Sequence, residues 1–135
     1  MNLLVNIDVD DLPKAIAFYE QAFDLCTGRR FGDGAVEMLG APVPIYLLAK
    51  PAGSKATGLP DVTRVYDRHW TPVHLDIVVA DIEAAIQKAL GAGAKLERPT
   101  QLNSWGKLAL MADPFGNGFC VVQFVGRGYD EIATQ

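Results

Sequence analysis

The stretch VHLDIVVADIEAAI, residues 73–86, changes its pattern of apolar residues halfway along. Up to Val79, apolar and polar side chains alternate with the period of two that is typical of a β-strand with one buried face. From Ile82 the apolar residues recur at helical spacing, and Asp81 stands where a helix N-cap is expected. The stretch therefore predicts a strand that leads directly into a helix.

The same strand and helix occur near the N-terminus, 70 positions earlier, in an alignment that places Leu4 on His74. Residues 3–9 alternate as a strand, and Asp11 precedes a helix that runs to about Asp24. Three shorter strand candidates follow each helix, so each half is predicted to be a β-α-β-β-β module. The candidates are residues 27–31, 35–39 and 44–49 in the first half and 95–98, 107–111 and 118–124 in the second.

The segments outside these elements complete one predicted domain, residues 1–135. DPFGNG, residues 113–118, combines Pro, Gly and Asn in a strong turn signal and is predicted to join the last two strands as a hairpin. The tail could be a short docking helix or a loose segment. We divide the chain into module one (1–50), a long linker (51–71), module two (72–125) and a C-terminal tail (126–135).

Composition excludes several classes of function. The net charge of −4 and the pI near 5.0 argue against a nucleic-acid partner, because that affinity comes from basic side chains on phosphates. The densest basic group in the linker, Arg64, Arg68 and His69, is interpreted as solvated surface or as an anion contact.

Cysteine usage and hydropathy bear on location. Cys26 and Cys120 form no Cys-x-x-Cys pair, so we expect reduced thiols in the cytoplasm. The sequence contains no run of about 18 apolar residues, so no membrane association is expected.

The doubled module, the openings VNIDVDDLPKAIAFYE and VHLDIVVADIEAAI, the Ser104-Trp105-Gly106 element and the closing DPFGNG turn resemble the vicinal oxygen chelate superfamily. This group contains glyoxalases, bleomycin-resistance proteins and extradiol dioxygenases. The resemblance covers residues 3–124. It implies an α+β fold in which two tandem β-α-β-β-β modules form a curved mixed sheet, a cup that encloses ligands. Members commonly pair, so a homodimer is also expected.

The resemblance also implies where metal ligands would stand. Metal-dependent members supply them from the first and last strand of each module, which here means Leu4, Tyr46, His74 and Cys120. Only His74 is a usual ligand of that group. A catalytic divalent ion needs about three protein donors, so no cofactor is expected, and a divalent metal remains the alternative.

Strand parity places Asn6, His74 and Asp76 on the face of the sheet that looks into the cup, away from the helices. Last-strand positions and the rim of the cup add further candidates. The predicted ligand-binding residues are Asn6, Tyr46, His74, Asp76, Trp105 and Cys120.

Each candidate has more than one reading. His74 is a wall-lining residue, an acid or base near a ligand, or a metal ligand. Cys120 is a small buried thiol, or a nucleophile if a base lowers its pKa. Tyr46 either packs in the cup or touches a ligand, and Trp105 either packs or stacks on a ligand.

These readings favour a protein that binds a small organic molecule in a cup-shaped cavity without a catalytic metal. The bleomycin-resistance branch shows, by resemblance, that sequestration without chemistry is one use of this fold. The alternative is a glyoxalase-like lyase, isomerase or dioxygenase. In that case His74 acts as a base, or as one ligand of a metal completed by residues such as Glu37 or by a partner chain.

Overall fold

The computed structural model describes residues 1–134, in which the chain forms two β-α-β-β-β modules and a short C-terminal 3-10 helix. Gln135, the end of the predicted tail, lies outside the described residues. Module one contains β1 (Val5–Val9), α1 (Leu12–Phe23), β2 (Cys26–Phe31), β3 (Ala35–Leu39) and β4 (Ile45–Ala49). The rest contains β5 (Leu75–Val78), α2 (Ile82–Ala92), β6 (Lys95–Leu96), β7 (Gln101–Asn103), β8 (Gly106–Ala112), β9 (Gly118–Phe124) and the 3-10 helix Gly128–Glu131.

Both α-helices begin where the sequence predicts, and α1 also ends where it predicts. The Asp11 carboxylate accepts a 2.9 Å hydrogen bond from the backbone N–H of Lys14, and the Asp81 carboxylate accepts one of 3.0 Å from Ala84. Each N-cap satisfies a backbone donor that has no partner inside the helix. α1 stops at Asp24, which adopts a left-handed conformation with φ of 56°.

The strands form two sheets, in the orders β1-β4-β3-β2 and β5-β9-β8-β6, and β7 also pairs with β8, at the opposite end of that strand from β6. In each sheet the first strand of the module lies parallel to the last. Asn6 is opposite Tyr46 in the first sheet, and Asp76 is opposite Cys120 in the second. The internal repeat and the α+β fold are therefore confirmed, although the structure has two separate sheets where one curved mixed sheet was predicted.

Some boundaries differ from the sequence prediction. β1 begins at Val5 rather than residue 3, and the preceding Leu4 is half exposed. The predicted strand at 95–98 ends at Leu96. Gln101–Asn103 forms the additional strand β7, which carries too few residues for its alternation to be recognised.

One hydrophobic core joins the two modules, because α1 and α2 pack against each other and each also packs on the sheet of its own module. Phe23 of α1 meets Phe119 of β9 edge to face, with ring centroids 5.4 Å apart. This contact ties the helix of module one to the sheet of module two. β1 and β5, each an edge strand of its own sheet, are consequently held near each other.

The 113–118 turn joins β8 to β9, as predicted. The Asp113 carboxylate accepts hydrogen bonds of 2.8 Å and 2.9 Å from the backbone N–H groups of Phe115 and Asn117. Gly116 has a φ of +81°, and a Cβ there would overlap the carbonyl oxygen of Asp67. The turn therefore supports the linker as well as the hairpin.

The linker is fastened to both modules. Arg64 forms a 2.6 Å ion pair with Asp8 of β1, and Arg68 pairs with Glu97. The Nε2 atom of His69 lies 3.1 Å from the side-chain oxygen of Asn117. The three basic residues considered as an anion contact are thus engaged within the chain.

The C-terminal tail docks through its 3-10 helix. Tyr129 packs against Trp105 and Phe124, with ring centroids 5.0 Å and 4.7 Å away. The docking helix is therefore the alternative that the structure supports. Within residues 1–134, the helices are too short and too polar for a membrane crossing.

Candidate functional site

A cavity of about 350 Å³ lies where the edge strands β1 and β5 approach each other over helix α1. Tyr19 and Phe23 of α1 contribute to its wall, and both modules supply polar side chains. We call this cavity the cleft. Its polar lining residues are Asn6, Asp8, Thr71, His74 and Asn117, and its apolar ones include Val5, Ile7, Leu75, Ile77 and Phe119.

The alternation of β5 explains how the second module presents its polar groups. Leu75 and Ile77 are half-buried on the core side, whereas His74 and Asp76 are on the opposite face, with side chains 53% and 38% exposed. His74 Nε2 lies 3.2 Å from Asp76 Oδ1. At this distance a protonated His74 ring forms an ion pair with the Asp76 carboxylate.

Cys120 lies beside this pair, opposite Asp76 in the ladder between β5 and β9. It is only 6% exposed. Burial, followed by the negative charge of Asp76, raises the pKa of the Cys120 thiol to about 11. The thiol is therefore protonated at neutral pH, and it lacks the activation that a nucleophilic cysteine requires.

One donor atom from each of His74, Asp76 and Cys120 lies within 4.8 Å of the other two. The first two stand two residues apart on one face of β5, and the third faces Asp76 across the ladder. Parallel pairing thus assembles an imidazole, a carboxylate and a thiol from three sequence-predicted residues. We call this group the H-D-C cluster.

A second cavity, of about 200 Å³, adjoins the first and shares His74, Thr71, Gly118 and Phe119 with it. Arg68, Trp70 and Cys120 also line this smaller space. His74 therefore contacts both cavities, while Cys120 lines the smaller one.

Tyr46 belongs to a different arrangement on the first sheet. Its hydroxyl donates a 3.0 Å hydrogen bond to Glu37 Oε1 and accepts one of 3.0 Å from Arg29 Nη2. Arg29 also binds Glu37 through Nε at 2.9 Å and Nη2 at 2.6 Å. Those hydrogen bonds lower the pKa of Glu37 to about 2, and the carboxylate in turn raises the pKa of Arg29.

Sequence reasoning missed this network, although it named Glu37 as a residue that could complete a metal site. A signal was present: Glu37 interrupts the apolar strand Ala35–Leu39, and a buried carboxylate needs a partner. Arg29 on the neighbouring strand is that partner.

The four positions at which the resemblance places metal ligands do not form a metal site. Leu4 offers no donor atom, and the Tyr46 hydroxyl is occupied by Arg29 and Glu37. Only His74 and Cys120 of the four remain, both in module two. The oxygen-rich octahedral site of the superfamily therefore does not fit this chain.

Asn6 and Trp105, the remaining predicted ligand-binding residues, lie in different parts of the structure. Asn6 lines the cleft, together with His74. Trp105 instead packs against Phe124, with ring centroids 6.2 Å apart. Phe124 is four residues along β9 from Cys120, roughly 13 Å by strand rise, so the structure does not bring Trp105 to the H-D-C cluster.

Comparison with known proteins supports a common origin. A family model described as a glyoxalase-like domain matches residues 4–122. The chain is 32% identical over 139 aligned positions to an uncharacterized protein of Mycobacterium bovis, covering 92% of this chain and 84% of that protein.

Solved structures of related fold have low sequence identity to the chain. A glyoxalase-related enzyme from Fulvimarina pelagi superposes with a TM-score of 0.71 at 15% identity, covering 91% of this chain and 87% of that one. A fosfomycin resistance protein, FosX, from Listeria monocytogenes superposes with a TM-score of 0.69 at 15% identity, covering 93% of each chain. At these identities the superpositions establish the fold.

Proposed function

The chain belongs to the glyoxalase-like family, and from that premise we propose that it binds a small organic molecule in the cleft without using the superfamily's four-position metal site. The observation that carries this proposal is the cavity of about 350 Å³ to which both modules contribute. Ligand sites of proteins measure roughly 300–1,000 Å³, so the cleft suits a small ligand.

The chemistry of the lining supports the same proposal. Apolar side chains of β1, β5 and α1 supply most of the wall, and a few polar groups converge on it. Such a surface gains binding free energy from apolar burial and orientation from hydrogen bonds. Asn6 and His74 are the groups proposed to orient the ligand, because the side chain of Asn117 is engaged by His69 and Asp113.

The charges around the cleft favour a ligand that is largely uncharged. Asp8 is paired with Arg64, and Asp76 is paired with His74 when that ring is protonated. Arg68, at the adjoining cavity, is paired with Glu97. A strongly charged ligand would have to compete with these internal partners.

Binding of the neutral fluorophore N-phenyl-1-naphthylamine tests the proposal. We expect one saturable site whose occupation shifts the amide resonances of Asn6, His74 and Asn117. Ile7→Phe would fill the cleft and should weaken binding at least tenfold. Leu102→Phe is the matched control, because Leu102 is exposed on β7 outside the cleft and should leave binding unchanged. Equal binding by all three proteins would refute the proposal.

A second candidate function is general base catalysis by His74, in a lyase- or isomerase-like reaction. The specific support is the 3.2 Å contact with Asp76, which places a carboxylate beside an imidazole that lines the cleft. Hydrogen–deuterium exchange at the C–H groups of dihydroxyacetone in D₂O tests it. His74→Gln should lower that exchange about 100-fold, as expected for loss of a general base. His69→Gln, the other histidine, should retain it.

The assembly and location of the protein remain predictions. We expect a homodimer, which sedimentation equilibrium at micromolar concentration would detect as twice the chain mass. We also expect a cytoplasmic location, which fractionation of cells that produce the protein would check.

A further inference from the structure

We propose that the H-D-C cluster binds one Zn²⁺ ion, with His74, Asp76 and Cys120 as its three protein ligands. This site lies wholly within module two, unlike the four-position site shared between modules. It uses Asp76, which the resemblance does not place among the metal ligands. It also does not depend on the identity of the molecule bound in the cleft.

The geometry of the three donors suits a tetrahedral ion. Zinc bonds of about 2.0–2.3 Å place the donors of a tetrahedral site about 3.3–3.7 Å apart. The His74 Nε2 to Asp76 Oδ1 distance is already 3.2 Å, and all three donors lie within 4.8 Å of one another. The side chains of His74 and Asp76 are 53% and 38% exposed, whereas Cys120 is buried, so the sulfur holds the fixed position around which the other two donors arrange.

The chemical types of the three donor atoms favour zinc over other divalent ions. One nitrogen, one oxygen and one sulfur form the mixed set that zinc accepts, whereas Mg²⁺, Ca²⁺ and Mn²⁺ prefer oxygen ligands. Three protein ligands leave a fourth position open, as in zinc sites that bind water or a substrate.

The charges of the three ligands and the access to them also favour zinc binding. Zinc with one carboxylate, one thiolate and one neutral imidazole forms an electrically neutral centre, so no further counter-ion must be buried beside Cys120. The cavity of about 200 Å³ that is lined by His74 and Cys120 provides the path by which the ion enters.

Titration with Co²⁺, a spectroscopic substitute for Zn²⁺, tests the site in chelator-treated, reduced protein. We expect one equivalent to bind, with the near-ultraviolet charge-transfer band of a thiolate–cobalt bond. Added Zn²⁺ should displace the cobalt, and a hundredfold excess of Mg²⁺ should not. Absence of the band in folded wild-type protein would overturn the proposal.

The two cysteines and two histidines of the chain provide matched controls. Cys120→Ser should abolish the band, and Cys26→Ser should retain it. His74→Ala and Asp76→Asn should each weaken Co²⁺ binding at least tenfold, whereas His69→Gln should bind as wild type does. Wild-type affinity in Asp76→Asn would overturn the three-ligand site.

A measurement on the unaltered chain covers the case in which Cys120→Ser fails to fold. Stoichiometric Zn²⁺ should slow alkylation of Cys120 at least tenfold and leave alkylation of Cys26 unchanged. Equal rates with and without zinc would overturn the proposal. Binding of N-phenyl-1-naphthylamine to metal-free protein is unaffected by that outcome, so the two proposals fail separately.

Discussion

Tyr19 of α1 donates a 2.8 Å hydrogen bond to the Asp113 carboxylate of the 113–118 turn, and both side chains are buried. Burial, followed by the charge of Asp113, raises the pKa of Tyr19 well above its ordinary value. The bond connects the helix of module one to the hairpin of module two. Because Tyr19 also lines the cleft, this connection holds one wall of the candidate site in place.

Tyr19→Phe should lower the free energy of unfolding by about 1.5–3 kcal/mol, the usual contribution of a hydrogen bond to a charged group. Tyr66→Phe is the control, because the Tyr66 hydroxyl donates to the neutral carbonyl of Lys50 at a half-buried position. Its cost should be about 0.5–1.5 kcal/mol. Urea denaturation of both variants measures the difference, and a larger loss in Tyr66→Phe would contradict the proposed link.

Gly116→Ala should displace the linker from the 113–118 turn. A Cβ at this left-handed position overlaps the Asp67 carbonyl, whereas Gly53, with a φ of +76°, has open space around it. Gly53→Ala should therefore lower the free energy of unfolding by about 1–2 kcal/mol, the cost of a left-handed conformation for alanine. Gly116→Ala should lower the free energy of unfolding by about 1–3 kcal/mol more than Gly53→Ala does, because the added methyl group overpacks the contact with Asp67. Thermal unfolding of the two variants compares them, and equal midpoints would exclude the close approach.

Glu37 should make stability depend on acid pH. Its pKa of about 2 in the folded protein lies below the ordinary value of 4.5. Ionised Glu37 therefore contributes stability that is fully present above pH 4.5 and lost as the pH falls toward 2. The melting temperatures of wild type and Glu37→Gln should therefore converge as the pH falls from 4.5 toward 2. A constant difference between them would show that the pairing with Arg29 does not shift the titration.

Cys120 should react slowly with iodoacetamide, because its raised pKa keeps the thiol protonated. In the presence of a chelator, exposed Cys26 should be modified at least tenfold faster at pH 7. The Cys26→Ser variant isolates Cys120, whose rate should climb until the pH passes about 11. Mass spectrometry follows both adducts. Rapid modification of Cys120 at neutral pH would reveal an activated thiol instead.

The local pattern of the sequence was sufficient to predict most of the fold. The Asp11 and Asp81 caps, the period-two strands and the 113–118 turn are determined by neighbouring residues, so one sequence reveals them. β7 is the exception, since three residues carry too little alternation.

The candidate site could be predicted only in part. Strand parity brought His74 and Asp76 to one face, yet the cleft depends on how far apart β1 and β5 settle, which the packing of α1 on α2 decides. The Tyr46 hydroxyl was a plausible ligand contact until its partners Arg29 and Glu37 were known. Trp105 was placed near the ligand by resemblance, and its packing on Tyr129 depends on a tail whose conformation the sequence left open.

The two modules share one backbone plan but differ in what they present at matching positions. Where module two has His74, Asp76 and Cys120, module one has Leu4, Asn6 and Tyr46. A tandem duplication can thus give its two copies different roles, with the reactive side chains gathered in module two while module one contributes Asn6 and apolar wall to the cleft. Because ladder hydrogen bonds come from the backbone, exchanging such a trio between copies should leave strand pairing intact, and new chemistry can arise in one half without cost to the other.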